Sequence, residues 1–297
     1  MSTAIDFASH VSVSRLPAGV FEHPIRLFHE EVEHHQTVAA IRHPLLRRAL
    51  EMNCSTPPIE IHSAGDLPPG LGLGSSSSFS VALLAALDAL AGHSRTPLEL
   101  AYEAIALERH ESDGAVGYQD QVIAALGGLR HIEFRAEDDV RATPLAMDDE
   151  RMRELEAHLL LVLVGGARPA QRLERRKLER VERNRETLRR MVAQVDRACD
   201  LLCNNGSLAA MGEMLDIAWK AKRSLAPGVS TPEIDALYQR CLEAGALGGK
   251  LLGAGAGGFL LLFVPPERRA AVTTAAEPHP TLSPRIAQPG VRVLNDG

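Results

Sequence analysis

Residues 68–78 read PPGLGLGSSSS, and this segment decides the fold. The strand-like segment IEIHS (59–63) precedes it, and the apolar segment FSVALLAALDALA (79–91), which favours a buried helix, comes after it. Glycines in such a loop allow backbone conformations closed to other residues and let a phosphate approach closely. The N-terminus of the next helix exposes unpaired N–H groups and a partial positive charge. The order strand, loop, helix therefore favours a phosphate-binding loop over an ordinary glycine turn capped by serine.

Two other glycine patterns do not predict the better-known nucleotide folds. Gly253, Gly255 and Gly258 satisfy Gly-x-Gly-x-x-Gly, but the strand-like FLLLFV comes directly after them, where a dinucleotide-binding fold has a helix. The pair Gly249 and Lys250 is followed by leucine, whereas a Walker A loop requires serine or threonine there. Both of these interpretations are excluded.

Composition favours a small-molecule partner. The chain has 297 residues, of which 45% are hydrophobic and 24% charged, and its formal net charge is −6. This length predicts two lobes. The negative net charge does not favour binding to nucleic acid or to an anionic membrane surface. No window is apolar enough for a membrane span, and Asp6 interrupts the apolar N-terminus, so we expect a cytoplasmic protein without a secretory signal. Four scattered cysteines predict neither a disulfide scaffold nor a zinc site.

Hydrophobic spacing predicts a mixture of strands and helices, with a lobe boundary near Asp149. The predicted strands lie within 2–16, 59–63, 129–134, 158–166 and 259–264, with a short final strand after a helix in the C-terminal remainder. The predicted helices are 38–52 with an interruption at Pro44, 79–91, 97–109, one entered from the turn at 117, a charged stretch within 168–190, 186–202, 208–225 and 232–244.

Three segments resemble the signatures of the GHMP small-molecule kinases. They are the loop at 68–78, GYQDQVIAALGGLRHIEF (117–134) and GALGGKLLGAGAGGFLLLFV (245–264). Within that family the chain most resembles the D-glycero-D-manno-heptose 7-phosphate kinases. The resemblance implies a two-lobed α+β fold, with a ribosomal-S5-domain-2-like ATP-binding lobe over 1–149 and a ferredoxin-like-related lobe over 150–297. It also implies ATP and Mg²⁺ as cofactors and a sugar or sugar phosphate as the partner, with a homodimer left open.

The resemblance also implies roles for individual residues. Asp120 matches the aspartate that orients the acceptor hydroxyl and takes its proton, and it could serve as a helix N-cap at the same time. Ser76 and Glu108 match the magnesium ligands, although Glu108 could be a solvated helix carboxylate. The implied ATP-binding residues are Pro69, Gly70, Gly72, Leu73, Gly74, Ser75, Ser76, Ser77 and Ser78, and those implied in acceptor binding or site closure are Gln119, Gly253, Gly255, Gly257 and Gly258.

The resemblance is incomplete at the N-terminus. Kinases of this family begin with a strand and turn of the form R-x-P-x-R-I, followed by a glycine-rich segment ending in Thr-Asp. This chain contains no such segment, and its first residues, STAID, resemble the residues that come immediately after that motif. We therefore expect the first strand of the N-terminal lobe to be missing. Loss of an acceptor clamp would weaken substrate positioning, a large part of phosphoryl-transfer catalysis.

The expected reaction is phosphorylation of D-glycero-D-manno-heptose 7-phosphate at its anomeric hydroxyl, which gives the 1,7-bisphosphate. Two alternatives stay open at this point. The chain could be another sugar kinase of the same family, of the fucose or galactose type. Because the first motif is missing, it could also be a catalytically impaired regulator that binds nucleotide.

Overall fold

The computed structural model describes residues 1–53, 57–112, 116–136, 139–165 and 170–294. The chain forms two compact units that alternate along the sequence. Unit 1 comprises Met1–Asp6, Gly70–Leu73 and Leu129–Ala287, and unit 2 comprises Phe7–Pro69, Gly74–Gly128 and Gln288–Gly297. These units are discontinuous in sequence, whereas each predicted lobe is one continuous stretch of chain. The lobe boundary near Asp149 stays a prediction.

Strands and helices occur in mixed order, which confirms the α+β class. The strands are β1 (Ser2–Thr3), β2 (Ser9–Arg15), β3 (Ile25–Phe28), β4 (Val32–His35), β5 (Ile59–Gly65), β6 (Leu129–Ala136), β7 (Asp139–Pro144), β8 (Leu159–Leu163), β9 (Gly248–Leu251), β10 (Phe259–Phe263) and β11 (Thr281–Leu282). The α-helices are α1 (Pro44–Met52), α2 (Ser75–Ala91), α3 (Pro97–Glu111), α4 (Gln119–Leu126), α5 (Asp149–Ala157), α6 (Ala170–Leu178), α7 (Arg185–Cys203), α8 (Leu208–Ser224), α9 (Pro232–Glu243) and α10 (Arg269–Ala276).

Unit 2 contains a four-stranded sheet of order β2-β5-β3-β4 and helices α1 to α4. β5 is antiparallel to β2 and parallel to β3, which places Ile25 opposite Ile59 and Leu27 opposite Ile61. These four side chains are buried because residues two apart in a strand share one face of the sheet. Helix α2 packs against β2, α3 and α4. The apolar face of the sheet thus supports the helix that begins after the glycine loop.

Helices α2 and α3 have well-defined starts. α2 begins after Gly74 and ends before Gly92, and both glycines adopt left-handed backbone conformations, with φ of 74° and 71°. α3 begins with a reciprocal capping box between Thr96 and Glu99. It continues to Glu111, so that Glu108 lies near its C-terminal end. The polar residues of interest are therefore held on regular helices.

Unit 1 contains two antiparallel sheets. One has the order β11-β8-β10-β9, and the other has the order β1-β6-β7. The sequences of β8 and β10, LLLVL and FLLLF, are almost wholly apolar because both of their faces are buried. Trp219 on α8 and Tyr238 on α9 belong to the same buried cluster as these strands. This core supports the glycine-rich segment that joins β9 to β10.

Most long elements confirm the predictions from spacing, whereas several short polar ones were not predicted. β5, α2, α3, α7, α8, α9 and β10 lie where periodicity places them. The strands β3, β4, β7 and β9 and the helix α5 escaped prediction. β7 (DVRATP) is largely exposed and is a strand because it pairs with β6. The helix predicted over 38–52 begins only at Pro44, because proline suits the first position of a helix and not its interior. Among the described residues, no helix combines the length and the apolar character that crossing a bilayer requires.

Candidate active site

The predicted phosphate-binding loop is shared between the two units. Residues 70–73 belong to unit 1, whereas Gly74 and the four serines belong to unit 2. The other candidate residues divide in the same way: Glu108, Gln119 and Asp120 lie in unit 2, and the glycine segment 253–258 lies in unit 1.

In unit 2, the N-terminus of α2 provides an anion-binding end. The carbonyl oxygen of Gly74 accepts a hydrogen bond from the Ser78 N–H at 2.9 Å, which starts the helical ladder of a 17-residue helix. N–H groups in the first turn have no acceptor within the helix, and the aligned peptide dipoles add a partial positive charge. A negatively charged phosphate is therefore stabilised at this end.

Glu108 is a buried carboxylate held by a serine of the loop. Ser77 Oγ donates a hydrogen bond to Glu108 Oε2 at 3.2 Å, and the two residues are only 4% and 6% exposed. The pKa of Glu108 is raised to about 7, chiefly by burial and to a smaller extent by the negative charge of Asp120, while the hydroxyls of Ser80 and Ser77 act to lower it. A positive charge nearby, such as a bound cation, would offset the free-energy cost of ionising this buried carboxylate.

Ser76, the serine implied as magnesium ligand, is exposed in the first turn of α2. The structure brings Ser77 rather than Ser76 to Glu108. Helical phase explains the difference, because Ser77 lies three and four residues before the buried Ser80 and Val81 and so shares their inward face. Four serines in a row conceal this phase, although the buried residues after them could have revealed it.

Asp120 lies in the first turn of α4 and is exposed to solvent. Its side chain packs directly against Gly74: a Cβ atom added to Gly74 would lie 3.2 Å from Asp120 Cβ and 3.3 Å from both Cγ and Oδ2. The N-cap of the helix is Tyr118, so the N-cap role does not describe Asp120. The carboxylate therefore lies beside the start of the anion-binding helix.

The two glutamines beside Asp120 have opposite environments. Gln119, the one implied in acceptor binding, is exposed, whereas Gln121 is fully buried. Gln121 favours the ionised form of Glu108 and lowers its pKa. Gln121 therefore lies inside unit 2 rather than on its surface, as its position one residue after an exposed helical residue could have indicated.

In unit 1, the glycine segment packs against residues 71 and 72 through backbone contacts. Phe259 N donates a hydrogen bond to the Leu71 carbonyl at 3.1 Å. A Cβ atom on Gly253 would lie 2.6 Å from Gly72 Cα, so Gly253 has no room for a side chain. Gly253, Gly255 and Gly258 have φ of 60°, 122° and 93°, conformations that glycine adopts freely. The first glycine-rich segment, at residues 71 and 72, and the segment 253–258 thus meet within unit 1.

Family models of the GHMP kinases match both halves of the chain. The model of the GHMP kinases N terminal domain matches residues 36–128, and the model of the GHMP kinases C terminal matches residues 187–277. The first match contains Glu108, Asp120 and the loop, and the second contains the glycine segment.

Two characterised relatives illustrate the range of similar sequences. The chain is 29% identical over 211 residues to D-glycero-alpha-D-manno-heptose 7-phosphate kinase of Campylobacter jejuni, an alignment that covers 70% of this chain and 62% of that enzyme. It is also 29% identical over 226 residues to mevalonate kinase of Methanothermobacter thermautotrophicus, with 73% and 68% covered. The chain thus spans less than two thirds of the length of the first of these relatives.

Solved structures share the fold at lower identity. A D-glycero-D-manno-heptose 1-phosphate kinase from Bacteroides thetaiotaomicron has a TM-score of 0.72 at 20% identity, with 99% of this chain and 90% of that chain covered. Lactococcus lactis galactokinase has a TM-score of 0.71 at 18% identity, with 96% and 87% covered. From the two family models and this shared fold, it follows that the chain belongs to the GHMP kinase family.

Proposed function

We propose that this chain is an ATP-dependent kinase that transfers a phosphoryl group to a hydroxyl of a sugar or sugar phosphate. The position of Asp120 carries the proposal. Its carboxylate lies against Gly74, the residue at which the anion-binding end of α2 begins. A carboxylate beside bound phosphates is placed to orient an acceptor hydroxyl and to take its proton.

The phosphates of ATP are proposed to bind at the loop and the first turn of α2, from Pro69 to Ser78. Backbone N–H groups and the helix dipole supply the attraction, so no lysine of the Walker type is required. Gln119 and the glycine segment 253–258 are proposed to bind the acceptor and close the site. These roles come from the family resemblance, and the exposure of Gln119 is compatible with its role.

Glu108 and Ser76 are proposed to hold magnesium. Among the residues that the structure describes, Glu108 Oε1 is buried without a hydrogen-bond partner, and a cation would satisfy it. Mg²⁺ in nucleotide sites is held by one or two carboxylates together with phosphate oxygens. When bound, the ion offsets the charge that develops on the transferred phosphoryl group. Ser77, through its bond to Oε2, holds the carboxylate in place.

Alanine at the two adjacent serines should separate a metal ligand from a supporting hydroxyl. Ser76→Ala should raise the Mg²⁺ concentration for half-maximal activity about tenfold and leave stability within about 0.5 kcal/mol, because Ser76 is exposed. Ser77→Ala should lower the free energy of unfolding by about 1–2 kcal/mol, because buried Glu108 loses a donor. Magnesium titrations and urea melts measure both. A wild-type magnesium dependence in Ser76→Ala would remove Ser76 from the ligand set.

The two glycines that flank α2, Gly74 and Gly92, offer a matched test of the contact between Gly74 and Asp120. Both have left-handed conformations, but Gly92 has nothing within 4 Å of an added Cβ, whereas Gly74 has the Asp120 side chain at 3.2 Å. Alanine at either should cost about 1–2 kcal/mol of stability through backbone strain. Only Gly74→Ala should also lower kcat/KM, by about 10²-fold, because it displaces the carboxylate. Equal kcat/KM values for the two variants would contradict the proposed role of this contact.

The proposed acceptor is D-glycero-D-manno-heptose 7-phosphate, phosphorylated at the anomeric hydroxyl. The names of the heptose phosphate kinases among the similar proteins support it. Mevalonate is a second candidate, because mevalonate kinases from several archaea have comparable identity to this chain. Galactose and fucose are further candidates, on the resemblance to galactokinase and to the fucokinase of Arabidopsis thaliana.

An acceptor panel tests this proposal. ADP release is measured with ATP and Mg²⁺ in the presence of heptose 7-phosphate, mevalonate, galactose and fucose, each at the same concentration. The heptose 7-phosphate should give the highest kcat/KM, at least about tenfold above the others. A higher kcat/KM for mevalonate would support the proposed kinase activity and identify mevalonate, rather than the heptose 7-phosphate, as its acceptor. The product is analysed by phosphorus NMR, in which an anomeric phosphate is distinct from an ester at another position.

A further inference from the structure

Lys222 lies in the last turn of α8 and bonds to two backbone carbonyls of the glycine segment. Its Nζ donates hydrogen bonds to the carbonyl oxygens of Leu251 at 2.8 Å and Gly253 at 2.6 Å. Hydrogen bonds from a charged donor are shorter and stronger than neutral ones, and both distances are typical of that class. One side chain thus fixes the end of β9 and the start of the segment 253–258.

The carbonyl of Gly253 belongs to a residue that touches the phosphate-binding loop. A Cβ atom on Gly253 would lie 2.6 Å from Gly72 Cα, and a Cβ atom on Gly72 would lie 3.1 Å from the carbonyl of Leu252. The two backbones are therefore in direct contact, with no side chain between them. A shift of Gly253 would change the space that confines Gly72.

Backbone hydrogen bonds hold the residues on either side of the glycine segment, Leu252 before it and Phe259 after it. Phe259 N donates to the Leu71 carbonyl at 3.1 Å, and Leu252 N donates to the Phe259 carbonyl at 2.9 Å. Gly253 has a left-handed φ of 60°, and as a glycine it has no side chain that could hold it in this conformation. Lys222 supplies a side-chain anchor for this end of the segment.

We infer that Lys222 is a positioning residue for nucleotide binding: its ammonium group holds the carbonyls of Leu251 and Gly253, so that Gly253 keeps Gly72 in the conformation that receives a phosphate. The inference rests on the proposed function. The C=O and N–H of one peptide unit point in opposite directions, so a carbonyl held toward Lys222 is kept from turning its negative end toward the phosphates.

Three variants test this role, with Lys220 as the matched control on the same helix. Lys220 is exposed and pairs with Asp216 at 2.6 Å, away from the glycine segment. Lys222→Met keeps the aliphatic stem and removes the donor, whereas Lys222→Arg keeps the charge. Binding of Mg·ATP is measured by calorimetry without acceptor, and KM and kcat are measured with the acceptor chosen by the panel.

Lys222→Met should raise the Kd and the KM for ATP about tenfold. The acceptor KM should rise as well, because Gly253 belongs to the segment proposed to bind the acceptor, whereas kcat at saturation should stay within about threefold. Lys222→Arg should stay within about threefold of wild type in ATP affinity, and Lys220→Met within about twofold. If Lys222→Met fails to fold, Lys222→Gln, which can serve only one carbonyl well, takes its place with the same expectation.

Two results would overturn the inference. A folded Lys222→Met protein that binds ATP like the wild type would show that Lys222 has only a structural role, as would a fall in melting temperature with unchanged ATP affinity. Absence of ATP binding by the wild-type protein would instead reject the proposed function, on which this inference rests. The binding measurement therefore distinguishes the two failures.

Discussion

Asp120→Asn should lower kcat by about 10³-fold and leave the affinity for ATP within about twofold. The asparagine amide has nearly the same shape as the carboxylate, so the packing of residue 120 against Gly74 is preserved. In the wild type, the Asp120 side chain lies 3.2–3.3 Å from the position of a Cβ atom added to Gly74. The substitution removes the negative charge that orients an acceptor hydroxyl and accepts its proton. General-base catalysis contributes about 10²–10⁴-fold, and orientation adds to it.

Asp149→Asn is the matched control for this change. Asp149 is also an exposed aspartate in the first turn of a helix, at the start of α5 in unit 1. Both substitutions remove an acidic group from a helix N-terminus, which costs about 0.3–1 kcal/mol of stability. Only Asp120→Asn should lose turnover. A kcat within tenfold of the wild type in Asp120→Asn would exclude Asp120 as the catalytic base.

Glu108→Gln should abolish magnesium-dependent turnover, with kcat/KM lowered by about 10²–10³-fold, and at the same time stabilise the metal-free protein above neutral pH. The loss results from removal of the buried charge proposed to hold the cation. The gain results from the burial of Glu108, which is only 6% exposed and whose ionised form is unfavourable without a cation.

The direction of the pH dependence is set by the raised pKa of Glu108. Its pKa is 4.5 when unperturbed and about 7 in the folded protein, chiefly because of burial. The stability that its neutral form contributes is complete below the unfolded pKa and is lost as pH rises through the folded pKa. Between about pH 4.5 and pH 8 the wild type should therefore lose roughly 2–3 kcal/mol relative to Glu108→Gln, which does not titrate.

Urea melts in EDTA at about pH 5 and pH 8.5 measure this difference. Glu103→Gln on the same helix is the control for loss of a carboxylate from α3, because Glu103 is only partly buried. Equal stabilities of wild type and Glu108→Gln at both pH values would contradict the account of Glu108. Added Mg²⁺ and ADP should restore stability to the wild type alone.

The order strand, loop and helix could be predicted because each part carries its own local signal. The alternation of apolar and polar residues predicts β5, the glycines predict the turn, and the apolar run after them predicts α2. The charged residue types of the site, Glu108 and Asp120, were also accessible through family resemblance. β4 and β7 were not, because short polar strands are defined by their pairing partners and carry weak periodicity of their own. β3 was not, because four residues, IRLF, are too few to show a period.

Contacts between distant parts of the chain account for the features that sequence reasoning could not supply. The choice between Ser76 and Ser77 depends on the phase at which α2 packs on α3, which sets the partner of Glu108. The bonds from Lys222 to residues 251 and 253 join segments about thirty residues apart, and a solvated surface lysine has the same sequence signature. The bonds from Lys222 have no local signal, and the helical phase at the serines is indicated only by the apolar residues that follow them.

The most direct test of the central claim is a paired measurement on the wild-type chain: Mg·ATP binding by calorimetry, and ADP release with each acceptor of the panel. The account predicts ATP binding and acceptor-dependent ADP release, with the release lost in Asp120→Asn while ATP binding persists. ATP binding by the wild type without turnover of any acceptor would contradict the account and would instead support a nucleotide-binding regulator.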